Sequence, residues 1–293
     1  MAKIINIGAL NIDYVYTVPH FVRAGESLVS HSLQVFPGGK GLNQSIAMAR
    51  AGMKVTHAGM VGNDGVFLLD VLSEAGVDTT YVKALTDPTG HAIIQVTSDG
   101  QNCILLYSGA NKSIDEQYIN SILELFTAGD ILVLQNEVSC VTYTMQAAHK
   151  KGLRIAFNPS PFGEEVHLYP LDTVTWFLLN EIEGYALTGI LDPDGILEVM
   201  GRLYPKSTIV LTMGENGALC LSDNNLYRQN AYSATVVDTT AAGDTFTGYF
   251  IYSVAMGMEV VEALDIASKA AAITVSRWGA AASIPKIEEV IIK

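Results

Sequence analysis

The feature that most constrains the fold is a repeated alternation of short apolar runs with helical segments. Strands are predicted at 3–9, 53–60, 130–135, 153–157, 174–179 and 207–212. Helices are predicted at 40–51, 66–75, 115–126, 141–150, 181–187, 194–203, 243–256 and 260–277. Such alternation favours parallel strands with helices packed on both faces of the sheet. The sequence therefore predicts an α/β fold around a mostly parallel central sheet.

Two pairs of strand-like segments interrupt this alternation in the first half of the chain. They lie at about 12–36 and 91–107, and neither shows a helical period. We expect them to form a small separate sheet, a lid at the edge of the core that can cover a ligand. Because no linker or internal repeat is found, residues 1–293 are interpreted as one domain with this lid.

Composition excludes several classes of function. The chain has 17 Lys and Arg residues against 30 Asp and Glu residues, and its net charge of −13 argues against nucleic acid or a membrane surface as partner. The N-terminal apolar run is too short and polar for a signal peptide or a membrane span. Cys103, Cys140 and Cys220 are widely spaced, which suits a reducing environment. We therefore expect a cytoplasmic protein that binds small molecules.

Several common catalytic motifs are missing from the sequence. It has no Walker A loop, no G-x-S-x-G nucleophile elbow and no G-x-G-x-x-G dinucleotide motif. Its six histidines show no metal-binding spacing such as HExxH. Any phosphate site must therefore be built in another way.

The segment 237–248 passes from a polar turn into a helix. The small residues Ala241, Ala242 and Gly243 leave backbone amides open at the start of that helix, where the helix dipole favours an anion. Asp244 follows in the first turn, beside any bound anion, and a carboxylate in that place is suited to accepting a proton. This segment alone leaves open an ordinary capped helix, with Asp244 complementing the dipole.

A second motif, Gly38–Gln44, places a glycine-rich turn at another helix start. Glycines allow the backbone to approach a ligand closely, and Lys40 and Asn43 supply donors to hydroxyl groups. A tight turn with a solvated lysine is the alternative. Asn11 and Asp13 also follow a predicted buried strand.

Polar residues come after three further predicted strands. Glu137 is suited to binding sugar hydroxyls, although simple solvation is an alternative. The turn 180–183 contains two acids and an amide that can hold Mg²⁺ through water, or merely begin a helix. The turn 212–217 joins a strand to a hairpin and can accommodate a nucleotide phosphate.

Together these motifs resemble the ribokinase-like (phosphofructokinase-B) family of carbohydrate kinases. The resemblance covers essentially the whole chain, with Gly8–Asp13, Gly38–Gln44 and Asp238–Gly248 as its main elements. It implies a three-layer α/β/α core with a β-sheet lid, and ATP-dependent transfer of a phosphoryl group to a sugar. It also implies a homodimer joined through the lids. The intact GGKGxNQ form is that of the ribose-specific members, so the 5-hydroxyl of D-ribose is the expected acceptor.

The resemblance also implies a role for individual residues. Asp244 is the expected general base, and the amides of Ala241, Ala242 and Gly243 are the expected anion hole. The implied pentose-binding residues are Asn11, Asp13, Gly39, Lys40, Asn43 and Glu137. The implied ATP-binding residues are Asn180, Glu183, Thr212, Gly214, Gly217, Gly243 and Ser268. Glu183 is expected to hold Mg²⁺ through water, and the implied ligands of an activating K⁺ are Asp238, Thr240, Gly279 and Ser283.

Some positions depart from the family pattern. Thr247 replaces an asparagine that is common in the second signature, and Ser268 replaces the usual histidine or asparagine on the adenine side. Two alternatives remain open: another sugar or nucleoside kinase of the same family, or a non-catalytic sugar- or nucleotide-binding regulator. The intact 243–244 and 180–183 segments argue against the regulator.

Overall fold

The structure, a computed structural model, describes residues 2–291. Its strands are β1 (Ile4–Ile7), β2 (Asn11–Thr17), β3 (Ser32–Gly38), β4 (Val55–Gly62), β5 (Asp78–Leu85), β6 (Gly90–Val96), β7 (Asn102–Tyr107), β8 (Ile131–Gln135), β9 (Arg154–Asn158), β10 (Trp176–Asn180), β11 (Thr208–Thr212), β12 (Ala218–Ser222) and β13 (Asn225–Gln229). Its α-helices are α1 (Lys40–Arg50), α2 (Phe67–Glu74), α3 (Glu116–Leu123), α4 (Val141–Lys150), α5 (Glu181–Thr188), α6 (Pro193–Leu203), α7 (Ala242–Ala255), α8 (Val260–Val275) and α9 (Ile287–Val290).

Nine strands form the central sheet, in the order β13-β12-β11-β10-β9-β8-β1-β4-β5. The strands from β11 to β5 in this order pair in parallel with one another, and at one edge β12 pairs antiparallel with both β11 and β13. Side chains of β1 alternate between two apolar cores: Ile4 packs on one face of the sheet, and Ile5 and Ile7 on the other. The predicted α/β fold with a mostly parallel sheet is confirmed.

Strands β3, β2, β6 and β7 form a separate four-stranded sheet, in that order. This confirms that the two early strand pairs join in a small sheet of their own. Every residue of β7 is exposed, as are the first four of β3. The small sheet therefore projects from the core instead of packing within it.

Two elements of the fold were missing from the prediction, β5 and the short helix α9. Strand β5 lies at the edge of the central sheet, and its residues are exposed or only half-buried. A half-exposed edge strand lacks the continuous apolar run that marks the interior strands. The other predicted elements occur within a few residues of their expected bounds.

Helix α7 approaches helix α1 closely at a glycine. A side chain at Gly248 would place its Cβ 2.4 Å from the Cβ of Ala47 and 2.9 Å from the amide nitrogen of Met48. The absence of a side chain allows the two helices to pack together. This packing carries the first turn of α7 onto the first turn of α1, and it creates the site.

Candidate active site

Asp244 lies in the first turn of α7 and is only 6% exposed. Its Oδ1 accepts a hydrogen bond from Gln44 Nε2 at 2.9 Å, and its Oδ2 accepts one from Asn43 Nδ2 at 3.1 Å. The Nζ of Lys40 is 3.9 Å from Oδ1. The carboxylate predicted to be a base is thus held in one orientation by the glycine-rich motif.

Lys40 connects Asp244 to Glu137. The backbone amide of Lys40 donates to Glu137 Oε2 at 2.8 Å. Burial opposes the charge on the Lys40 ammonium, yet the carboxylates of Asp244, Glu137 and Glu183 together hold its pKa above the ordinary value. Burial raises the pKa of Glu137 to about 7, against the opposing effect of Lys40. One cation therefore lies among three carboxylates.

The turn before α1 depends on its glycines. Gly39 has a φ of 95°, and a Cβ there would lie 2.7 Å from the carbonyl oxygen of Ala9. A Cβ at Gly38 would lie 2.2 Å from Asp13 Oδ2, so the missing side chain makes room for this carboxylate. Burial raises the pKa of Asp13 to about 6. The glycines thus bring the lid residue Asp13 next to the start of α1.

Asn111 is a site residue that the sequence analysis missed. Its Nδ2 donates to Asn11 Oδ1 at 2.8 Å, and its Oδ1 accepts from the backbone amide of Leu10 at 3.1 Å. Asn111 is 1% exposed and follows the lid strand β7. A polar residue directly after a lid strand was the only signal in the sequence that could have found it.

A cleft of about 270 Å³ opens between the lid and the core. Two of the predicted sugar-binding residues, Asn11 and Glu137, line it. Its other lining residues are Leu106, Tyr107, Ser108, Asn111, Lys112, Asn136, Pro161, Phe162, Gly163 and Glu165. Asn136 was also missed; its Nδ2 donates to the Pro161 carbonyl at 2.8 Å and fixes the wall opposite the lid.

The start of α7 differs in one respect from the predicted row of open amides. Ala241 has a φ of 63°, a left-handed conformation that aims successive amides toward one point. The backbone amides of Ala241 and Gly243 donate no backbone hydrogen bond within residues 2–291. The Ala242 amide instead donates to the Thr239 carbonyl at 3.3 Å, because the turn closes there before the helix begins. The expectation of three open amides is wrong for Ala242 in this conformation.

Residues predicted for the phosphates follow the neighbouring strands β10 and β11. Asn180 and Glu183 form a capping box: Asn180 Oδ1 accepts from the Glu183 amide at 2.9 Å, and Glu183 Oε2 accepts from the Asn180 amide at 3.0 Å. The register pairs Asn180 with Thr212 across the two strands. In the described part of the chain, no group of three or more His, Cys, Asp or Glu side chains is arranged to hold a metal ion directly.

The remaining nucleotide-side residues lie farther along the same edge. Gly214 begins a short 3₁₀ turn after β11 and Gly217 follows it, and a Cβ at Gly217 would lie 2.0 Å from the Gln229 carbonyl oxygen. The missing side chain at Gly217 therefore lets the start of β12 lie against the end of β13. Ser268 is buried on α8, which packs against β12 and β13.

Asp238 is hydrogen-bonded to two of the other three predicted cation ligands. Its Oδ1 accepts from Thr240 N at 2.9 Å and from Thr240 Oγ1 at 2.6 Å, and its Oδ2 accepts from Gly279 N at 3.1 Å. Ser283 Oγ instead donates to the Ala280 carbonyl at 2.7 Å. Three of the four predicted residues are thus in direct contact, with Ser283 on the next turn.

These sites follow the order of the strands. Residues at the carboxyl ends of β1, β8, β9, β10 and β11 all lie at one edge of the sheet, where α/β folds bind ligands. The predicted sugar residues Asn11 and Asp13 follow β1 in the chain, and Glu137 follows β8. The predicted phosphate residues Asn180 and Thr212 end β10 and β11. With about 5 Å between strands, the two groups lie on the order of 10–20 Å apart. This edge can therefore hold a sugar and a nucleotide side by side, with the start of α7 opposite.

Comparisons with known proteins agree with this arrangement. Residues 1–287 match the pfkB family carbohydrate kinases. A ribokinase of Haemophilus influenzae is 33% identical over 297 residues, covering 97% of this chain and 96% of that protein. A ribokinase from Cryptococcus neoformans in complex with ADP superposes with a TM-score of 0.88 at 33% identity, covering 99% and 98% of the two chains. An Arabidopsis thaliana ribokinase complexed with ribose and ATP gives 0.87 at 27% identity, covering 99% and 97%.

The fold and the cleft define a phosphotransferase that binds a sugar beside a nucleotide. The chain belongs to the pfkB family of carbohydrate kinases. It is an ATP-dependent sugar kinase. None of the helices described in residues 2–291 has the length and hydrophobicity needed to cross a bilayer.

Proposed function

We propose that this enzyme transfers the γ-phosphoryl group of ATP to the 5-hydroxyl of D-ribose. The observation that carries the proposal is the group beside the cleft in which Asn43 donates a hydrogen bond to Asp244 and Lys40 forms an ion pair with it. It joins the predicted base to the GGKGxNQ motif found in ribose-specific members. The similarity to ribokinases over nearly the whole chain supports the same substrate.

In this mechanism the 5-hydroxyl oxygen attacks the γ-phosphorus in line. A bond forms between these atoms, the bond from phosphorus to the bridging oxygen breaks, and ADP leaves. Asp244 takes the hydroxyl proton, a role that contributes about 10²–10⁴ in rate. The free amides of Ala241 and Gly243 stabilise charge on the transferring group, with about 3–4 kcal/mol per donor as a guide from oxyanion holes. Lid closure over the sugar excludes water.

The two cations also belong to the proposal. Each oxygen of Glu183 accepts one hydrogen bond, from Asn180, so lone pairs remain for a magnesium-bound water. The carbonyls of Thr240 and Gly279 accept no backbone hydrogen bond within the described residues, which suits a potassium ion beside Asp238. Bound Mg²⁺ and K⁺ would supply positive charge near the phosphates and the anion hole.

We further propose that two copies associate through the outer face of the lid. The strand register places Val35 and Leu105 in one row, on the face opposite Asp13. They are 51% and 66% exposed, and β3 and β7 are the edges of their sheet. Exposed apolar edge strands tend to be covered by a partner.

Leu105→Lys is therefore expected to convert a dimer into a monomer, because it buries a charge in the proposed interface. Light scattering after size exclusion should give twice 31.4 kDa for the wild type and 31.4 kDa for the variant. Leu191→Lys, at a position that is 79% exposed outside the lid, serves as the control and should stay dimeric. A monomeric wild type would contradict the proposed interface.

The raised pKa of Glu137 predicts a pH dependence of sugar binding. An acid whose pKa is about 7 is protonated below that pH, so the carboxylate that accepts hydroxyl hydrogen bonds is lost as the pH falls. Between pH 8 and pH 6.5 the ribose Kd should rise about fourfold, measured by calorimetry without ATP. Glu137→Gln should bind more weakly at pH 8 and show no such rise. An equal rise in the variant would assign the effect to another group.

The proposed substrate is tested by measuring ATP consumption with a panel of pentoses, hexoses and nucleosides, each in K⁺ and in Na⁺ buffer. We expect D-ribose to give the highest kcat/KM and K⁺ to give faster turnover than Na⁺. A nucleoside or hexose as the best acceptor would replace ribose while leaving the kinase assignment in place. If ATP were consumed with none of the acceptors in the panel, the non-catalytic regulator would be favoured.

A further inference from the structure

A row of uncharged polar side chains lies behind Asp244, inside the core. Each of its members is fully buried, and none of them lines the cleft. They are Asn6 on β1, Gln44 and Ser45 on α1, His57 on β4 and Gln135 on β8. Buried polar groups are costly unless they are paired, so a row of five in one core needs an explanation.

The near end of this row holds the carboxylate of Asp244. Gln44 Nε2 donates to Asp244 Oδ1 at 2.9 Å, and Gln44 Oε1 accepts from Gln135 Nε2 at 2.7 Å. Gln135 Nε2 also donates to Asn6 Oδ1 at 3.1 Å. The Nε2 of Gln135 therefore donates both to Gln44, on the side of Asp244, and to Asn6, on the opposite side.

The far end terminates on a backbone carbonyl. Asn6 Nδ2 donates to Ser45 Oγ at 2.9 Å, and Ser45 Oγ lies 2.8 Å from His57 Nδ1. His57 Nε2 lies 3.2 Å from the carbonyl oxygen of Gly8. Since that carbonyl can only accept, His57 carries its proton on Nε2, and Ser45 donates to Nδ1. Burial lowers the pKa of His57 to about 4, so the ring is neutral at physiological pH.

Both ends of the row can only accept hydrogen bonds, which sets the direction of every donor between them. Turning the Gln44 amide would bring its oxygen against Asp244 Oδ1, and turning Gln135 would bring its oxygen against two acceptors. In the arrangement observed, Gln135 Oε1 is buried without a hydrogen-bond partner among the described residues. An unpaired buried acceptor is a cost that the orientation of the row imposes.

We infer that Gln44, oriented by Gln135, is a positioning residue that fixes the Asp244 carboxylate and keeps it ready to accept a proton. Gln44 is suited to this role because it donates to the carboxylate while its own carbonyl oxygen is occupied by Gln135. Asn43 differs, since its Oδ1 is buried with no partner within the described chain and remains available for the sugar. The inference rests on the proposed role of Asp244 as base, but it does not depend on which sugar is the acceptor.

The test uses two variants of nearly unchanged size in the intact enzyme, with the acceptor that the wild type phosphorylates fastest. Gln44→Met removes the donor, and kcat is expected to fall about 10–100-fold with the sugar KM changed less than threefold. The acid limb of the kcat–pH profile should move to higher pH, because the carboxylate has lost a hydrogen bond that favours it. Gln135→Met should produce the same change to a smaller degree.

Gln44→Glu provides a second test if the Met variant folds poorly. It keeps the shape of the side chain but places a second carboxyl group against Asp244, and two adjacent carboxyl groups share a proton. We expect low kcat at neutral pH that recovers as the pH is raised. A wild-type pH profile in this variant would overturn the inference.

The matched control removes a buried hydrogen bond elsewhere. Thr144→Val deletes the bond from Thr144 Oγ1 to the Cys140 carbonyl, on the fully buried side of α4. It should lower the melting temperature and leave the pH profile in place. If Gln44→Met also lowered stability without moving the acid limb, Gln44 would have only a structural role, and the inference would fail. These experiments use the acceptor that the wild type phosphorylates fastest, so their outcome does not depend on D-ribose being the substrate. If D-ribose were not the substrate, this would be seen separately, as low activity of the wild type with D-ribose.

Discussion

Asp244→Asn is expected to reduce kcat by about 10³-fold or more while ribose binding stays within about threefold of the wild type. The amide is nearly the same size as the carboxylate, so the cleft keeps its shape. However, an amide cannot accept the hydroxyl proton at neutral pH, and it presents a donor to Gln44 or Asn43, which are donors themselves. The loss should therefore fall on the chemical step.

The experiment compares kcat from ADP release with ribose Kd from calorimetry. Asp130→Asn is the matched control, because Asp130 is also 6% exposed and accepts hydrogen bonds from the amides of Lys3 and Thr127. That variant should lose stability and retain kcat. Turnover close to that of the wild type in Asp244→Asn would show that another group takes the proton.

Asn43→Ala is expected to weaken sugar binding far more than ATP binding. The truncation removes a buried carbonyl oxygen that is available for a hydroxyl, together with one of the two amide donors to Asp244. We expect ribose KM to rise about 10–100-fold, since sites built for hydrogen bonding lose heavily when a partner is removed. KM for ATP should change less than threefold, because most of its predicted residues lie at or just after the ends of β10 and β11.

Steady-state kinetics with each substrate varied in turn separates these effects. Asn120→Ala serves as the control, since Asn120 is exposed on α3 and its side chain accepts a hydrogen bond from Tyr143. It should leave both constants unchanged. Equal losses for ribose and ATP in Asn43→Ala would contradict the separation of the two substrates along the sheet edge.

The fold could be predicted largely from local patterns. Interior strands such as β8 are continuous apolar runs. Helix starts also carry recognisable signals. At 180–183, the alternative of a simple helix start matches the capping box that the structure shows. Strand β5 was missed because edge strands carry a weaker pattern. What local patterns predict well is the type of element and its approximate bounds.

The site could be predicted only in part, because its contacts join distant segments. Asp244 and the glycine-rich turn were found through their own motifs. Gln135, in contrast, meets Gln44 across 91 residues and Asn6 across 129, and no short-range pattern encodes such contacts. The closed turn at Ala242 was missed for a related reason: residue size suggests which amides are open, but backbone torsion decides it.

In the proposed mechanism, the cleft presents the primary hydroxyl of D-ribose to Asp244 and to the γ-phosphate of ATP. This mechanism is tested most directly by NMR of the product formed from ¹³C-labelled D-ribose, ATP and Mg²⁺. We expect ribose 5-phosphate, recognised by carbon–phosphorus coupling at C5 and C4, to be formed by the wild type and not by Asp244→Asn. Phosphate on C1 or any other carbon, or no sugar phosphate from the wild type, would contradict the mechanism.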